Sequence, residues 1–279
     1  MYLKPKSLNE AVSLLASTGG QILAGGTDFY PALGERLPQG TVVDITAVDE
    51  IRGISRQADR IRIGGLTTWT EVIGCPLPPC FEALKEAARE VGSVQIQNRG
   101  TVAGNLCNAS PAADGVPPLL ALDAEVELVS NAGKRVVPLG EFLAGNRKTL
   151  RAADEILTAV LVPRRLENAS SAFLKLGARR YLVISISMVA AVLHKDATGH
   201  VAEAHVVVGS CAASARRLSR LEKDLVGRRT SAEIAEVTRR EHLSPLSPID
   251  DIRATADYRL DASLTLVRRA LEICMGRAA

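Results

Sequence analysis

Apolar residues recur along this chain with two different periods, and the switches between them mark its elements. Leu8, Val12 and Leu15 are spaced as on one face of a helix, Ser7 stands three residues before Glu10 as a capping box, and Gly19-Gly20 supplies the stop. A short apolar strand, Gln21-Ile22-Leu23-Ala24, runs straight into Gly25-Gly26-Thr27-Asp28. Thr41 to Ile45 and Arg60 to Gly64 read as further strands, the second alternating Arg with Ile as a half-buried strand does. Phe81, Leu84, Ala87, Ala88 and Val91 share a helical face that Gly92 ends, and Ala124 to Val129 alternates again. Gly64-Gly65 is a third glycine turn, with Thr68 three residues before Glu71 as a second capping box.

Pro163 through Asn168 reads as a boundary. Beyond it, Ala172 to Leu176, Tyr181 to Leu193 and Ala204 to Gly209 are predicted strands. Helices follow over Ala212 to Leu225, after a box formed by Thr230 and Glu233, and over Leu264 to Met275. Strands followed by a run of helices give an α+β layer domain.

Composition narrows the function classes. With 279 residues, 47% hydrophobic and 23% charged, the chain is an ordinary globular protein. A net charge of +3 with no basic block excludes a nucleic-acid binder. The longest apolar stretch, Tyr181 to His194, is broken by Ser185 and Ser187 and falls short of the roughly 20 residues a bilayer requires, so no membrane span is expected. The first residues lack the anatomy of a secretory signal, which makes a cytoplasmic location the expectation. Five scattered cysteines have neither the pairing of a disulfide framework nor the spacing of zinc or iron–sulfur ligands, so free thiols and no metal site are expected.

Two segments carry candidate chemistry. Leu23-Ala24-Gly25-Gly26-Thr27-Asp28 is one; Thr101-Val102-Ala103-Gly104-Asn105, running on to Ser110 and Asp114, is the other. Glycine lets the main chain take positive φ and approach a ligand, so successive amides can converge on a pyrophosphate. Thr27, Thr101 and Asn105 add side-chain donors. Neither G-x-G-x-x-G after a strand nor G-x-x-x-x-G-K-[ST] occurs, so a self-contained dinucleotide dehydrogenase is not the reading.

The pairing of Ala24-Gly25-Gly26-Thr27-Asp28 with Thr101 to Asn105 and Ser110-Pro111-Ala112-Ala113-Asp114 resembles the FAD-binding medium subunit of the molybdenum hydroxylases, the xanthine dehydrogenase and carbon monoxide dehydrogenase family. Leu119 to Val126, Arg147-Lys148-Thr149, Asp154 to Leu157, Phe173-Leu174-Lys175 and Arg179-Arg180 extend the likeness over nearly the whole chain.

The resemblance implies a two-part FAD-binding domain of the PCMH (vanillyl-alcohol oxidase-like) type over 1–165, divided at about residue 55, and an α+β C-terminal domain over 166–279. It implies that Leu23 through Asp28 and Thr101, Val102, Ala103, Gly104 and Asn105 wrap the FAD pyrophosphate and ribityl chain. Ser110 would join them, and Asp114 would bond a ribose or adenine edge. Ile156 and Leu157 would line the adenine pocket, and Lys175 would stand beside the flavin, its charge tuning the reduced ring. Tyr181 or Val183 would cover the isoalloxazine. Ala103 replaces a glycine common in the family, so altered backbone geometry is expected there.

By the same resemblance FAD is non-covalent. Molybdopterin belongs to a large partner subunit and two [2Fe-2S] clusters to a small one. The chain passes their electrons to NAD+ or another acceptor. A stand-alone flavin oxidase or reductase of the same fold, and a scaffold subunit without flavin, are the rival readings.

Overall fold

The computed structural model describes residues 1–276, and its first layer is small and parallel. β1 (Tyr2–Leu3) leads to α1 (Leu8–Thr18). Ser7 Oγ accepts from the Glu10 amide at the start of this helix, and Gly19, in the left-handed region, ends it with its amide on the Leu15 carbonyl. β2 (Gln21–Leu23), α2 (Phe29–Leu33) and β3 (Val42–Asp44) follow, and the strands lie in the order β1-β3-β2, both pairs parallel. Ala11, Val12 and Leu15 bury the helix face against Val43 and Ile45, in a cluster that reaches Leu66 and Ile156.

The second layer opens with β4 (Ile54–Arg56), β5 (Arg60–Gly64), α3 (Trp69–Gly74), α4 (Glu82–Glu90) and α5 (Val94–Gln97). It continues through α6 (Val102–Asn108), α7 (Val116–Ala121), β6 (Glu125–Ser130), β7 (Gly133–Pro138), α8 (Leu139–Phe142) and β8 (Ile156–Pro163). Its sheet is antiparallel in the order β4-β5-β8-β6-β7. The alternation of β5 is explained by its two faces. Ile61 and Ile63 join the core with Leu84, Leu106 and Leu119, while Arg62 pairs with Glu127 on β6. The Thr68 and Glu71 box is complete and starts α3.

The third layer is β9 (Ser170–Leu176), β10 (Ser187–Lys195), β11 (Val201–Gly209), β12 (Arg216–Arg217), α9 (Ser219–Leu225) and α10 (Ala256–Gly276). Its antiparallel sheet has the order β12-β11-β10-β9. β10 is apolar from Met188 to Leu193 because both its faces are covered there. Val189, Ala191 and Leu193 meet Val267, Ala270 and Leu271 of α10, whereas Met188, Ala190 and Val192 join the core of the second layer. The α+β expectation is met.

Four local expectations are corrected. Residues 181–186 are a loop rather than the start of β10, because Arg179 caps the Leu182 carbonyl, Leu182 sits at φ +51°, and pairing resumes only at Ile186 N to Leu176 O. The helix expected from Ala212 begins at Ser219. Leu218 N donates to the Val206 carbonyl, and Arg217, in β12, is drawn into ion pairs with Asp123 and Glu222. Thr230 caps no helix: its hydroxyl donates to Gly199 O at 2.7 Å, and Ser231 precedes the short 3-10 turn Ala232–Val237. The last helix is longer than expected, starting at Ala256.

At the seam between the second and third layers, Asp123, Glu203 and His205 come together, but Arg165 and Arg217 bind their carboxylates, so the group is an ion-pair network. Among the described residues no helix is long and apolar enough to cross a membrane.

Arg259, on α10, is 3% exposed and donates to Ile186 O at 2.6 Å and to Asp251 Oδ1 at 2.8 Å, tying the last helix to the start of β10. The Arg253 amide, with the Arg259 and Arg253 guanidiniums, holds the Asp251 carboxyl down at about 2 from its ordinary 3.8. A depressed carboxyl adds stability above its unfolded pKa and loses it as pH falls through the folded one. Thermal midpoints should therefore drop between pH 3.8 and about 2, and Asp251→Ala should flatten that drop. At neutral pH the same variant strands a buried guanidinium, costing about 2–3 kcal/mol; the partly exposed carboxylate keeps this below a fully buried pair.

Candidate functional site

The two glycine segments lie directly against each other. After β2 the chain turns through Ala24 to Asp28, with Gly26 at φ +76°. A Cβ on Gly25 would stand 2.0 Å from the Arg99 carbonyl oxygen, so this glycine is required by the neighbouring main chain rather than by a ligand. The second segment is the opening of a helix, not a turn. Thr101 is the N-cap of α6, its Oγ1 accepting from Gly104 N at 3.0 Å. Trp69 N donates to Gly100 O and Val102 N to Thr67 O, which locks this segment onto the start of α3. Ala103 thus sits inside a helix, where φ is negative, and its replacement of a glycine has no backbone consequence.

Both segments face one cavity of about 720 Å³, within the range of cofactor sites. Residues 24–28 line it, as do Thr101, Ala103, Gly104, Asn105, Ser110, Asp114, Ile156 and Leu157. Four expected residues stand elsewhere. Val102 is fully buried in the core beneath α6. Leu23 faces a smaller cavity behind the first loop, with Ala24 and Gly25 forming the shared wall. The Lys175 ammonium ends 2.7 Å from Asp114 and does not reach the cavity wall. Tyr181 is 66% exposed with Arg180 over its ring, and Val183 and Ile184 supply the wall instead.

Other wall residues escaped the sequence reading. Trp69 forms part of the wall, close enough that a Cβ on Gly115 would come within 2.3 Å of its ring. Its signal was the Thr68 capping box immediately before it. Arg147 and Arg151 bring cations to the wall. Arg147, at φ +56°, donates from its main chain to Ala109 O at 2.9 Å and from its guanidinium to Asn108, while Arg151 donates to Glu155 O at 2.7 Å. Arg147 stands in one of the stretches that carry the family likeness, but nothing in the sequence puts either arginine in the wall, because their position follows from the path of the loop between α8 and β8. Cys107 also lines the cavity, and burial pushes its thiol up to about 11, leaving it neutral near pH 7.

The lining is fitted to a ligand with both acceptors and donors. The main-chain amides of Gly25, Gly26, Thr27 and Asp28 donate to no main-chain acceptor among the described residues. Asn105 Oδ1 is buried in the wall without a hydrogen-bond partner, a state that costs about 1–3 kcal/mol unless a ligand relieves it. Phosphate oxygens suit the amides and a sugar or ribityl hydroxyl suits Asn105 Oδ1, so these residues fit FAD. Burial pushes the Asp114 carboxyl up, against the opposite pull of Lys175 and Ser185.

The family model for the FAD binding domain in molybdopterin dehydrogenase matches residues 1–165, and that for the CO dehydrogenase flavoprotein C-terminal domain matches 171–273. This chain belongs to the FAD-binding medium subunits of the molybdenum hydroxylases. The medium subunit is 35% identical to the nicotinate dehydrogenase FAD-subunit of Eubacterium barkeri, over 85% of this chain and 83% of that one. It is 28% identical to the carbon monoxide dehydrogenase medium chain of Hydrogenophaga pseudoflava, covering 100% and 98%. A solved structure of carbon monoxide dehydrogenase from that organism, lacking the Mo-pyranopterin moiety of its molybdenum cofactor, superposes with a TM-score of 0.88 over 100% of this chain and 98% of that chain, at 28% identity. The medium subunit is therefore an oxidoreductase subunit of FAD-binding type.

Proposed function

We propose that this medium subunit binds FAD non-covalently in the 720 Å³ cavity and relays electrons from a small two-[2Fe-2S] subunit to a soluble acceptor such as NAD+, while a large molybdopterin subunit carries the hydroxylation. The cofactor would supply a centre that takes electrons singly and releases them as a pair. The chain's own residues bind and orient it. Amides of 25–28 meet the pyrophosphate, Asn105 meets a hydroxyl, and Ile156 and Leu157 offer apolar wall to the adenine. Val183 and Ile184 shield the ring. Two titratable groups of the wall are already committed: Asp114 is tied to Lys175 and Ser185, and Cys107 is a neutral thiol. A cytoplasmic location belongs to the same reading, supported by five free cysteines.

The observation that carries the proposal is the unpartnered Asn105 Oδ1 beside the undonated loop amides, in one cavity of cofactor size. The purified chain should show the visible absorption of a flavin and release intact FAD on denaturation. Co-purified with its two partner subunits, it should be bleached anaerobically by the substrate that the large subunit hydroxylates and recover on adding acceptor. A chain that neither holds nor rebinds FAD would remove the proposal; turnover of an aldehyde or N-heterocycle by the chain alone would replace it with the stand-alone oxidase.

A further inference from the structure

The family resemblance implies that Lys175 stands beside the flavin, but its ammonium is spent within the protein. It donates to Asp114 Oδ2 at 2.7 Å and to the Glu90 carbonyl at 3.4 Å, with both members of the ion pair under 10% exposed. The other oxygen of Asp114 accepts from Ser185 Oγ at 2.8 Å. These bonds join separate stretches of the cavity wall. Glu90 precedes Val91 and Gly92, Asp114 closes the stretch from Ser110, and Ser185 follows Val183 and Ile184.

The loop between β9 and β10 is also held at its far end, where Ile186 N donates to Leu176 O and Ile186 O accepts from Arg259 at 2.6 Å, but residues 178–184 have few bonds of their own. Tyr181, Leu182 and Ile184 are exposed, and Leu182 sits in the left-handed region, which is costly for any residue with a Cβ. Arg179 bonds only within the loop, to Leu182 O, and Arg180 lies over Tyr181. Val183 folds back, packing where a Cβ on Gly177 would lie 2.5 Å away, and the buried Ser185 and Ile186 lead the chain into β10.

We propose that Lys175, Asp114 and Ser185 form a buried latch that pins the 177–186 loop over the cavity, so that Lys175 is a positioning residue acting through Asp114 rather than a group touching the cofactor. That the loop covers FAD rests on the function proposed above; the latch itself is a property of the protein without cofactor. Because the pair is buried, removing one member strands the other, and removal of both should cost no more than removal of Lys175 alone.

Arg179 and Arg180 make the loop a reporter, since both are exposed and trypsin cleaves after arginine in proportion to the open population. In the FAD-free full chain, Lys175→Met, Asp114→Asn and Ser185→Ala should each speed cleavage after Arg179 and Arg180 by about tenfold relative to cleavage elsewhere, the equivalent of ~1.4 kcal/mol of latch free energy. The Lys175→Met and Asp114→Asn double variant should be no faster than Lys175→Met. FAD dissociation constants should rise in parallel across the three single variants, while the midpoint potential of FAD bound to Lys175→Met stays at the wild-type value. Ser185→Ala strands no charge and keeps the test open should the other variants misfold. Unchanged cleavage in Ser185→Ala, or a shifted potential in Lys175→Met, overturns the latch. Accelerated cleavage in a chain that never binds FAD upholds the latch and overturns only the reading of the cavity.

Discussion

Gly25→Ala should empty the cavity of FAD, with flavin content of the purified chain falling below about a tenth of wild type and the thermal midpoint falling with it. The reason is a main-chain collision. The added methyl would lie 2.0 Å from the Arg99 carbonyl oxygen and 2.8 Å from its carbon, neither of which is the end of a flexible side chain. Relief requires the two loops to separate. Separation breaks the Trp69 N to Gly100 O bond and withdraws the 25–28 amides from the cavity shared with α6. Overpacking of this kind costs about 1–3 kcal/mol in stability, and misaligned charge-assisted bonds to a phosphate cost about 1.5–3 kcal/mol each in binding. Gly74→Ala is the control, because a Cβ there meets nothing within 4 Å and α3 gains a better helix former. Full FAD content in Gly25→Ala, measured by the ratio of flavin to protein absorbance and by cofactor release, would show that the loops do not act together.

Asn105→Ala should separate stability from binding. Asn105 Oδ1 is buried without a partner, so its removal deletes an unsatisfied polar atom from the cofactor-free protein. The melting temperature of that form should hold or rise. Affinity for FAD should move the other way, weakening about 2- to 12-fold for a bond worth roughly 0.5–1.5 kcal/mol. A group retained at the expense of stability is characteristic of binding sites. If titration of the cofactor-free protein with FAD gives wild-type affinity, Asn105 is a structural residue and its orphan oxygen has another explanation.

How much of this was legible in the sequence depended on the range of the interaction responsible. α1 was read correctly because its signals are local: Ser7, the apolar spacing and Gly19 lie within the helix and its caps. β5 was read from alternation, which needs only one strand. The loop at 181–186 reads as strand because Tyr181 to Leu193 is largely apolar, whereas its path depends on Arg179 capping Leu182 O and on Asp114, far away in sequence, bonding to Ser185. Arg217 was placed in a helix for the same reason, since its partner Asp123 is distant. In the site, the glycine segments carried most of the information, and residues 24–28 and 103–105 do line the cavity. Lys175 turns to Asp114 and Tyr181 to solvent, directions that no sequence signal encodes. An ammonium next to a cavity can turn to a carboxylate as easily as to a ligand, and sequence gives no direction to a side chain. Arg147 and Arg151 arrive by a loop whose course depends on the whole second layer.

The sheet of the last third is sandwiched: one side of β10 belongs to α10, and the other completes the interior that α7 and β8 begin. The two stretches that match separate families are consequently one mechanical body. Strain introduced at the rear helix has a direct route through β10 into the helices behind the glycine segments, and a graft between relatives is self-consistent only when the strand travels together with the helix beneath it.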